Sequence, residues 1–338
     1  MTVVLHSSLT RISDLDTVPY DVTPVAQDNW NTGDYVVGAI RESSRPNYSI
    51  ELASGRMISA LPGNHVVGAF GNRAATLEGV GSWVDIRDGR MNAMTGAGLF
   101  GAITSLSPMI ARTVDLDYVG HVVRNGRKVG MSDFALTEPD GRYDVPTILL
   151  VGTSMSAGKT TTGRLVVHEL EKTGRKVVGA KLTGAGRYRD VLSFRDAGAF
   201  AIFDFVDAGL PSTVVPEPEF RKAIRPLLHR IASVRPDVVV AEAGASPLEP
   251  YNGAAAIEEL GDNICCTILC ASDPYAVVGV EKAFGLRPDF VTGPAASTSA
   301  AIDLVQKLAG VTAINVMDPG CLAAVRRIVE QALDKHVR

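Results

Sequence analysis

The chain has 338 residues, 46% of them hydrophobic and 21% charged, which are the proportions of an ordinary globular protein long enough for two domains. A net charge of -4 and the lack of any long Lys/Arg run leave no footprint for nucleic acid or an anionic membrane. The N-terminal stretch MTVVLHSSLTRISDLD has polar and acidic residues where a secretory signal needs a basic start and an apolar core, and no later run approaches a membrane span. The cytoplasm is the expected compartment.

Residues 1–144 are written in short alternating segments broken by Gly, Pro and Asn, such as GDYVVGAI, RMISALPG, HVVGAFG and GSWVDIRDGRM. This pattern predicts short strands and tight turns, hence a smaller β-rich domain, barrel- or sandwich-like, with no role assigned. Gly33–Ala39 (GDYVVGA) and Gly63–Ala69 (GNHVVGA) echo each other and suggest two similar hairpins. The glycine-rich MTGAGLFGAIT permits close backbone approach, either toward the other domain's active site or at a glycine-kinked barrel corner.

Residues 145–338 change to a repeated order of apolar strand, glycine-containing loop and amphipathic helix. Strands are expected at TILLVG, KVVGAKL, DVVVAEA, ICCTILCA, DFVTG and TAINVM. Near-continuous Val/Ile/Leu strands alternating with helices predict an α/β domain with a mainly parallel sheet covered by helices on both faces. In such sheets ligands sit at the carboxyl ends of the strands, so functional residues are sought just after each strand.

The first of these strands runs into VGTSMSAGKTTT. A phosphate group calls for backbone N–H groups turned inward, glycines that let the chain approach, and a helix N-terminus behind. Gly152 ends the strand; Thr153, Ser154, Met155, Ser156, Ala157 and Gly158 form the loop; Lys159, Thr160 and Thr161 open the helix. Lys159 is placed to reach the β- and γ-phosphates and the Thr160 hydroxyl to coordinate Mg²⁺. Five residues separate Gly152 from Gly158, one more than the usual pattern.

With that extension the loop resembles those of dethiobiotin synthetases, which read GTD, three residues, then GKT. It is also similar to the loop of a related P-loop family that contains bacterial D-glutamate N-acetyltransferases. The resemblance covers Thr147 to about Arg338, and the N-terminal region lies outside it. The second lysine found near the loop's start in the MinD-like group is absent. In the synthetase-like pattern a lysine and a Thr-Gly pair follow the second strand, which implies that Lys181 and Thr183 neutralise charge and orient the reacting groups, with Gly184 beside the substrate. Both families carry a Glu after the third strand and a proline eight positions later, a spacing kept by Glu242 and Pro250. Glu242, at the end of a buried strand beside the phosphate loop, is placed to hold Mg²⁺ or to position a nucleophile. Here EAGAS stands where those families favour a glycine directly after the Glu; Gly244 and Ser246 follow as substrate-side candidates.

Further candidates stand at the remaining edges. Arg187 and Arg189 lead a charged cluster that either binds an anionic acceptor or forms a solvated face of ion pairs. Asp273 follows the fourth predicted strand, where it either touches ligand or starts a helix, and Thr292-Gly293-Pro294 is placed near a nucleotide base. Cys265, Cys266 and Cys270 in NICCTILCA lack the paired spacing of a zinc site and are expected to be reduced core thiols. The histidines form no HExxH motif, His168 lies inside the first helix after the loop, and there is no GxSxG elbow.

The leading expectation is an ATP- and Mg²⁺-dependent enzyme that activates or phosphorylates a small carboxylate-bearing molecule, through an acyl or mixed phosphoanhydride if the synthetase resemblance holds. The alternatives are an acetyl-CoA-dependent N-acyltransferase acting on an amino acid, since the same cradle can grip the pyrophosphate of coenzyme A, and a nucleotide-dependent switch or metallochaperone. The resemblance also implies a homodimer.

Overall fold

Alternation of apolar residues with period two sends every second side chain to one face, and in the N-terminal region those faces close on a common core. The computed structural model describes residues 3–42, 49–110, 113–137 and 141–337. Strands His65–Phe70, Tyr35–Ile40, Val114–Arg124, Arg90–Ala93 and Leu99–Leu106 pair antiparallel in that order. The last returns to the first through a parallel pairing, Leu99 beside Ala69 and Phe100 beside Phe70, so the five close a ring. Val36, Ile40, Val66, Phe70, Phe100 and Leu116 fill it. The two echoing segments do not form two hairpins. They pair with each other, each glycine opposite a valine (Gly38 with Val66, Val36 with Gly68). MTGAGLFGAIT divides into a turn over residues 94–98 and the start of the strand Leu99–Leu106; Gly98 has a φ of +89° and its carbonyl accepts the Ala69 N–H at 2.9 Å.

The C-terminal region forms a six-stranded, wholly parallel sheet. In chain order its strands are Thr147–Gly152, Val177–Thr183, Ala201–Asp204, Val238–Ala243, Ile264–Cys270 and Phe290–Thr292. Across the sheet they lie third, second, fourth, first, fifth, sixth. The strand bearing the phosphate loop is thus flanked by the Glu242 strand on one side and the cysteine-rich strand on the other. Helices from Lys159–Glu171 to Leu322–Val337 cover the sheet, and Leu150, Val167, Phe194, Val240, Ile268 and Phe290 belong to its core.

Two elements differ from the sequence reading. Ala201–Asp204 is an edge strand of only four residues, too short to show a period. TAINVM contributes a single bridge, Ala313 beside Val291, because the Asn315 side chain then accepts the Met317 N–H at 3.1 Å and turns the chain away. Cys266 and Cys270 are buried and Cys265 is partly so; all are free thiols. No helix of the described residues is long and apolar enough to cross a membrane.

The chain divides into two compact units. The first comprises Met1–Thr137 with Ala185–Arg189 and Phe205–Pro216, and the second Glu138–Gly184 with Asp190–Asp204 and Glu217–Arg338.

Candidate functional site

The phosphate loop begins where the first strand of the second unit runs out of sheet partners. The Thr153 N–H still bonds the Cys270 carbonyl at 3.1 Å, so the extra residue prolongs the pairing with the neighbouring strand and the loop proper starts at Ser154. Gly158 takes a φ of +97°, a left-handed conformation that costs a non-glycine residue about 1–2 kcal/mol, and the helix Lys159–Glu171 starts directly after it.

Lys159 is only 1% exposed and lies back across its own loop. Its Nζ donates to the Ser154 carbonyl at 2.6 Å and reaches that of Met155 at 3.5 Å. A Cβ on Gly152 would stand 2.5 Å from that Nζ, which explains a glycine at the strand end. Burial holds the Lys159 ammonium below the usual lysine pKa, against the opposing pull of the Glu242 carboxylate.

At the second residue of the helix, the Thr160 hydroxyl donates to Glu242 Oε2 at 2.9 Å. Parallel pairing produces this meeting, because Glu242 is in register with Leu150 on the loop strand. The same register sets Lys181 beside Glu242 on one side and beside Asp204 on the other. A row of carboxylate, ammonium and carboxylate therefore crosses three adjacent strand ends, all of it buried. Lys181 also forms an ion pair with Asp190. Burial opposes its charge, but Asp190, Glu242 and Asp204 outweigh that cost and raise its pKa above the usual lysine value.

Thr183 and Gly244 tie the two strand ends together. The Gly244 N–H is shared between the Thr183 hydroxyl, at 3.0 Å, and its carbonyl, at 3.1 Å. Gly184 lies against Gly244 and the Lys181 stem. Ser246 opens a turn in which its N–H donates to Glu249 Oε2 at 2.7 Å. Asp273 caps the helix Pro274–Phe284, accepting from the Tyr275 and Ala276 N–H groups at 2.9 and 3.0 Å. Ser272 before it donates its N–H to the Thr153 hydroxyl at 3.0 Å and so joins that cap to the loop. Arg187 and Arg189 are exposed and belong to the first unit; neither guanidinium makes a hydrogen bond or ion pair among the described residues. His168 is exposed on the helix after the loop.

Loop, Lys159, Thr160, Glu242, Lys181 and Thr183 are thus gathered at one sheet edge. Asp204 was not legible beforehand, although it ends an apolar run, AIFD, much as Glu242 ends VVVAE. Thr160 and Glu242 offer hard oxygen donors, and among the described residues no group of three or more His, Cys, Asp or Glu could hold a metal ion alone. A magnesium ion, which favours oxygen ligands, would be held here by Thr160 and Glu242.

No family model and no curated protein matches this chain. Solved structures resemble it distantly. HypB from Helicobacter pylori in complex with nickel is 15% identical, over 57% of this chain and 89% of that one, with a TM-score of 0.38. Chloroplast FtsY from Physcomitrella patens is 15% identical over 59% and 67%, with a TM-score of 0.36. A DUF1611 family protein from Anabaena variabilis is 14% identical over 57% and 58%, with a TM-score of 0.36. The likeness extends over a little more than half of the chain, and at these TM-scores it assigns neither ligand nor reaction.

Proposed function

We propose that the second unit is an ATP- and magnesium-dependent catalyst that activates or phosphorylates a small carboxylate-bearing substrate. The observation that carries this reading is the Thr160–Glu242 pair, 2.9 Å across, beside the buried Lys159 at the mouth of a strand–loop–helix. Coenzyme A needs no metal for its pyrophosphate, and a carboxylate at that point would repel it. A magnesium–nucleotide complex makes use of the same carboxylate.

In this reading Lys159 leaves the Ser154 carbonyl and binds phosphate oxygens, while the loop amides and the helix N-terminus take up the rest of the negative charge. Thr160 and Glu242 would hold the magnesium, whose charge would offset that of the bound phosphates. In the same reading Lys181 would neutralise the charge that develops on the transferred phosphoryl group and on the attacking carboxylate as ADP leaves. Such a preorganised donor is typically worth about 3–4 kcal/mol of barrier. Thr183 and Gly244 hold the two strand ends at fixed separation so that Lys181 and Glu242 keep their register.

Thermal-shift titration with Mg·ATP, Mg·GTP and acetyl-CoA tests the reading. A ligand at a hundredfold excess over its Kd stabilises by about 2.7 kcal/mol, a readily measured shift. The expected result is stabilisation by Mg·ATP that is lost in Lys159→Ala, whose unliganded fold is intact. A shift with acetyl-CoA and none with Mg·ATP refutes it.

A further inference from the structure

The helix Tyr188–Asp196 begins in the first compact unit and continues in the second, the division falling between Arg189 and Asp190. Its two parts are held differently. In the second unit Phe194 is fully buried against Gly163 and Gly179, where a Cβ would stand 2.7 and 2.6 Å from its side chain. That slot seats the later turn of the helix. The first turn carries Asp190, the ion-pair partner of Lys181. A helix start leaves backbone N–H groups without intrahelical partners. Here those of Tyr188 and Arg189 go to the Glu51 carboxylate at 2.8 and 2.9 Å, one to each oxygen. Two hydrogen bonds to one planar group fix the direction of the helix as well as its start, and the negative charge suits the positive end of the helix dipole.

Glu51 is itself fixed. It is 1% exposed, the Ser8 hydroxyl donates to its Oε2, and its own N–H donates to the Gly96 carbonyl at 2.7 Å. Gly96 lies in the glycine-rich turn over residues 94–98, where a Cβ on it would stand 2.9 Å from the Ser49 carbonyl. The missing side chain thus lets the turn lie against the strand Ser49–Glu51. The Ala97 carbonyl of the same turn accepts the N–H of Leu9, next to Ser8, at 3.1 Å. Turn, Ser8 and Glu51 form one buried frame around the start of the helix. Asp190 is the next residue after Arg189, so it keeps its place on the Lys181 ammonium only while that first turn keeps its own.

We infer that Glu51 is a positioning residue for Lys181: by capping the helix it fixes Asp190, and Asp190 fixes the ammonium at the strand end. Each of these hydrogen bonds and ion pairs lies within one unit, and the link is the covalent backbone from Arg189 to Asp190. The inference rests on the proposed role of Lys181 in phosphoryl transfer. It gives the first unit a part in that reaction, through a residue that takes no part in the bond changes.

Calorimetric titration of the full chain with Mg·ADP, alone and with aluminium fluoride, tests it. Aluminium fluoride beside ADP mimics the transferring phosphoryl group, so the affinity it adds reports on the groups that act there, while Mg·ADP alone reports on the loop. In Glu51→Gln the amide nitrogen must face the Tyr188 or the Arg189 N–H, which loosens the cap. Misplacing a catalytic group by about 1 Å can cost on the order of 100-fold, so Glu51→Gln and Asp190→Asn are each expected to weaken the aluminium fluoride complex roughly 10- to 100-fold. Mg·ADP alone binds both variants as it binds the wild type. The double variant is expected to be no weaker than the weaker single one, because both changes act through the same ion pair. Asn72→Ala, which removes a hydrogen bond elsewhere in the first unit, is expected to lower the urea midpoint and leave the aluminium fluoride complex unchanged. An unchanged complex in Glu51→Gln, additive losses in the double variant, or an equal loss in Asn72→Ala overturns the inference alone. Wild-type protein that does not bind Mg·ADP, or gains no affinity from aluminium fluoride, overturns it together with the proposed function.

Discussion

Lys181 owes its place to charge. Its side chain is buried, and the groups that compensate the lost hydration are Asp190, Glu242 and Asp204. Removing one member of a buried ion pair leaves uncompensated charge and typically costs about 3–5 kcal/mol. Lys181→Met is therefore expected to destabilise by that amount in denaturant unfolding. Asp190→Asn costs less, because Glu242 and Asp204 still face the ammonium. The double variant is expected to recover part of the loss, with a coupling of about 1–3 kcal/mol; simple additivity would show that the pair does not interact. The pH sign follows from the raised pKa. The Lys181 contribution is fully present below the ordinary lysine value of about 10.4 and is lost as the pH climbs through the higher folded-state value. An unfolding series from pH 7 to 10 is thus expected to leave the difference between wild type and Lys181→Met unchanged.

At the scale of elements, the phosphate loop is shaped by the turn after the sixth strand as well as by its own glycines. Gly293 has a φ of +86°, and a Cβ there would stand 2.5 Å from the Ala157 carbonyl and 3.1 Å from that of Ala271, both rigid backbone. Gly174, beyond the first helix, has a similar φ of +80° but open space around it. Gly174→Ala is expected to pay the left-handed cost alone, about 1–2 kcal/mol, with nucleotide binding intact. Gly293→Ala is expected to cost more and to weaken Mg·ATP as well, because Ala157 must move and the loop with it. Equal effects of the two on stability and binding would mean that Gly293 does not shape the loop. The contrast also separates what a reader of sequence can and cannot see. Strand, loop and helix around Gly158 and Lys159 were legible, since their chemistry lies within a dozen consecutive residues. The meeting of Thr160 with Glu242 could be anticipated from where strands end. Asp204 could not, because a four-residue edge strand carries no periodicity and its neighbour is set by sheet order. Gly293 was visible as a glycine after a strand, but not the carbonyl it clears. Asp273 allowed two readings, and its hydrogen bonds place it as a helix cap.

At the scale of the whole chain, the change of pattern near residue 144 does not coincide with the limits of the first compact unit, which also takes in Ala185–Arg189 and Phe205–Pro216. The reason is a set of polar contacts within that unit. Glu51 is a buried carboxylate with three donors: Ser8 Oγ at 2.5 Å, the Tyr188 N–H at 2.8 Å and the Arg189 N–H at 2.9 Å. Arg11 pairs with Asp207 at 3.0 Å, while Asn72 donates to the Val214 carbonyl and accepts from Ser212 through its own. A fragment of residues 1–144 would keep the closed ring of strands and lose all of these partners except Ser8. A hydrogen bond to a charged group is worth about 1.5–3 kcal/mol, so the loss of two from Glu51 alone removes a large part of the stability expected of a domain this size. The fragment is therefore expected to unfold at much lower urea concentration than the same unit in the full chain, followed by fluorescence of Trp30 and Trp83. Glu51→Gln provides the internal control. In the full chain it weakens a satisfied carboxylate and is expected to cost about 1–3 kcal/mol, whereas in the fragment, where two donors are already gone, neutralising the buried charge is expected to cost nothing or to stabilise. Equal midpoints for fragment and full chain, or an equal cost of Glu51→Gln in both, would place the limit of the folding unit at the change of sequence pattern after all.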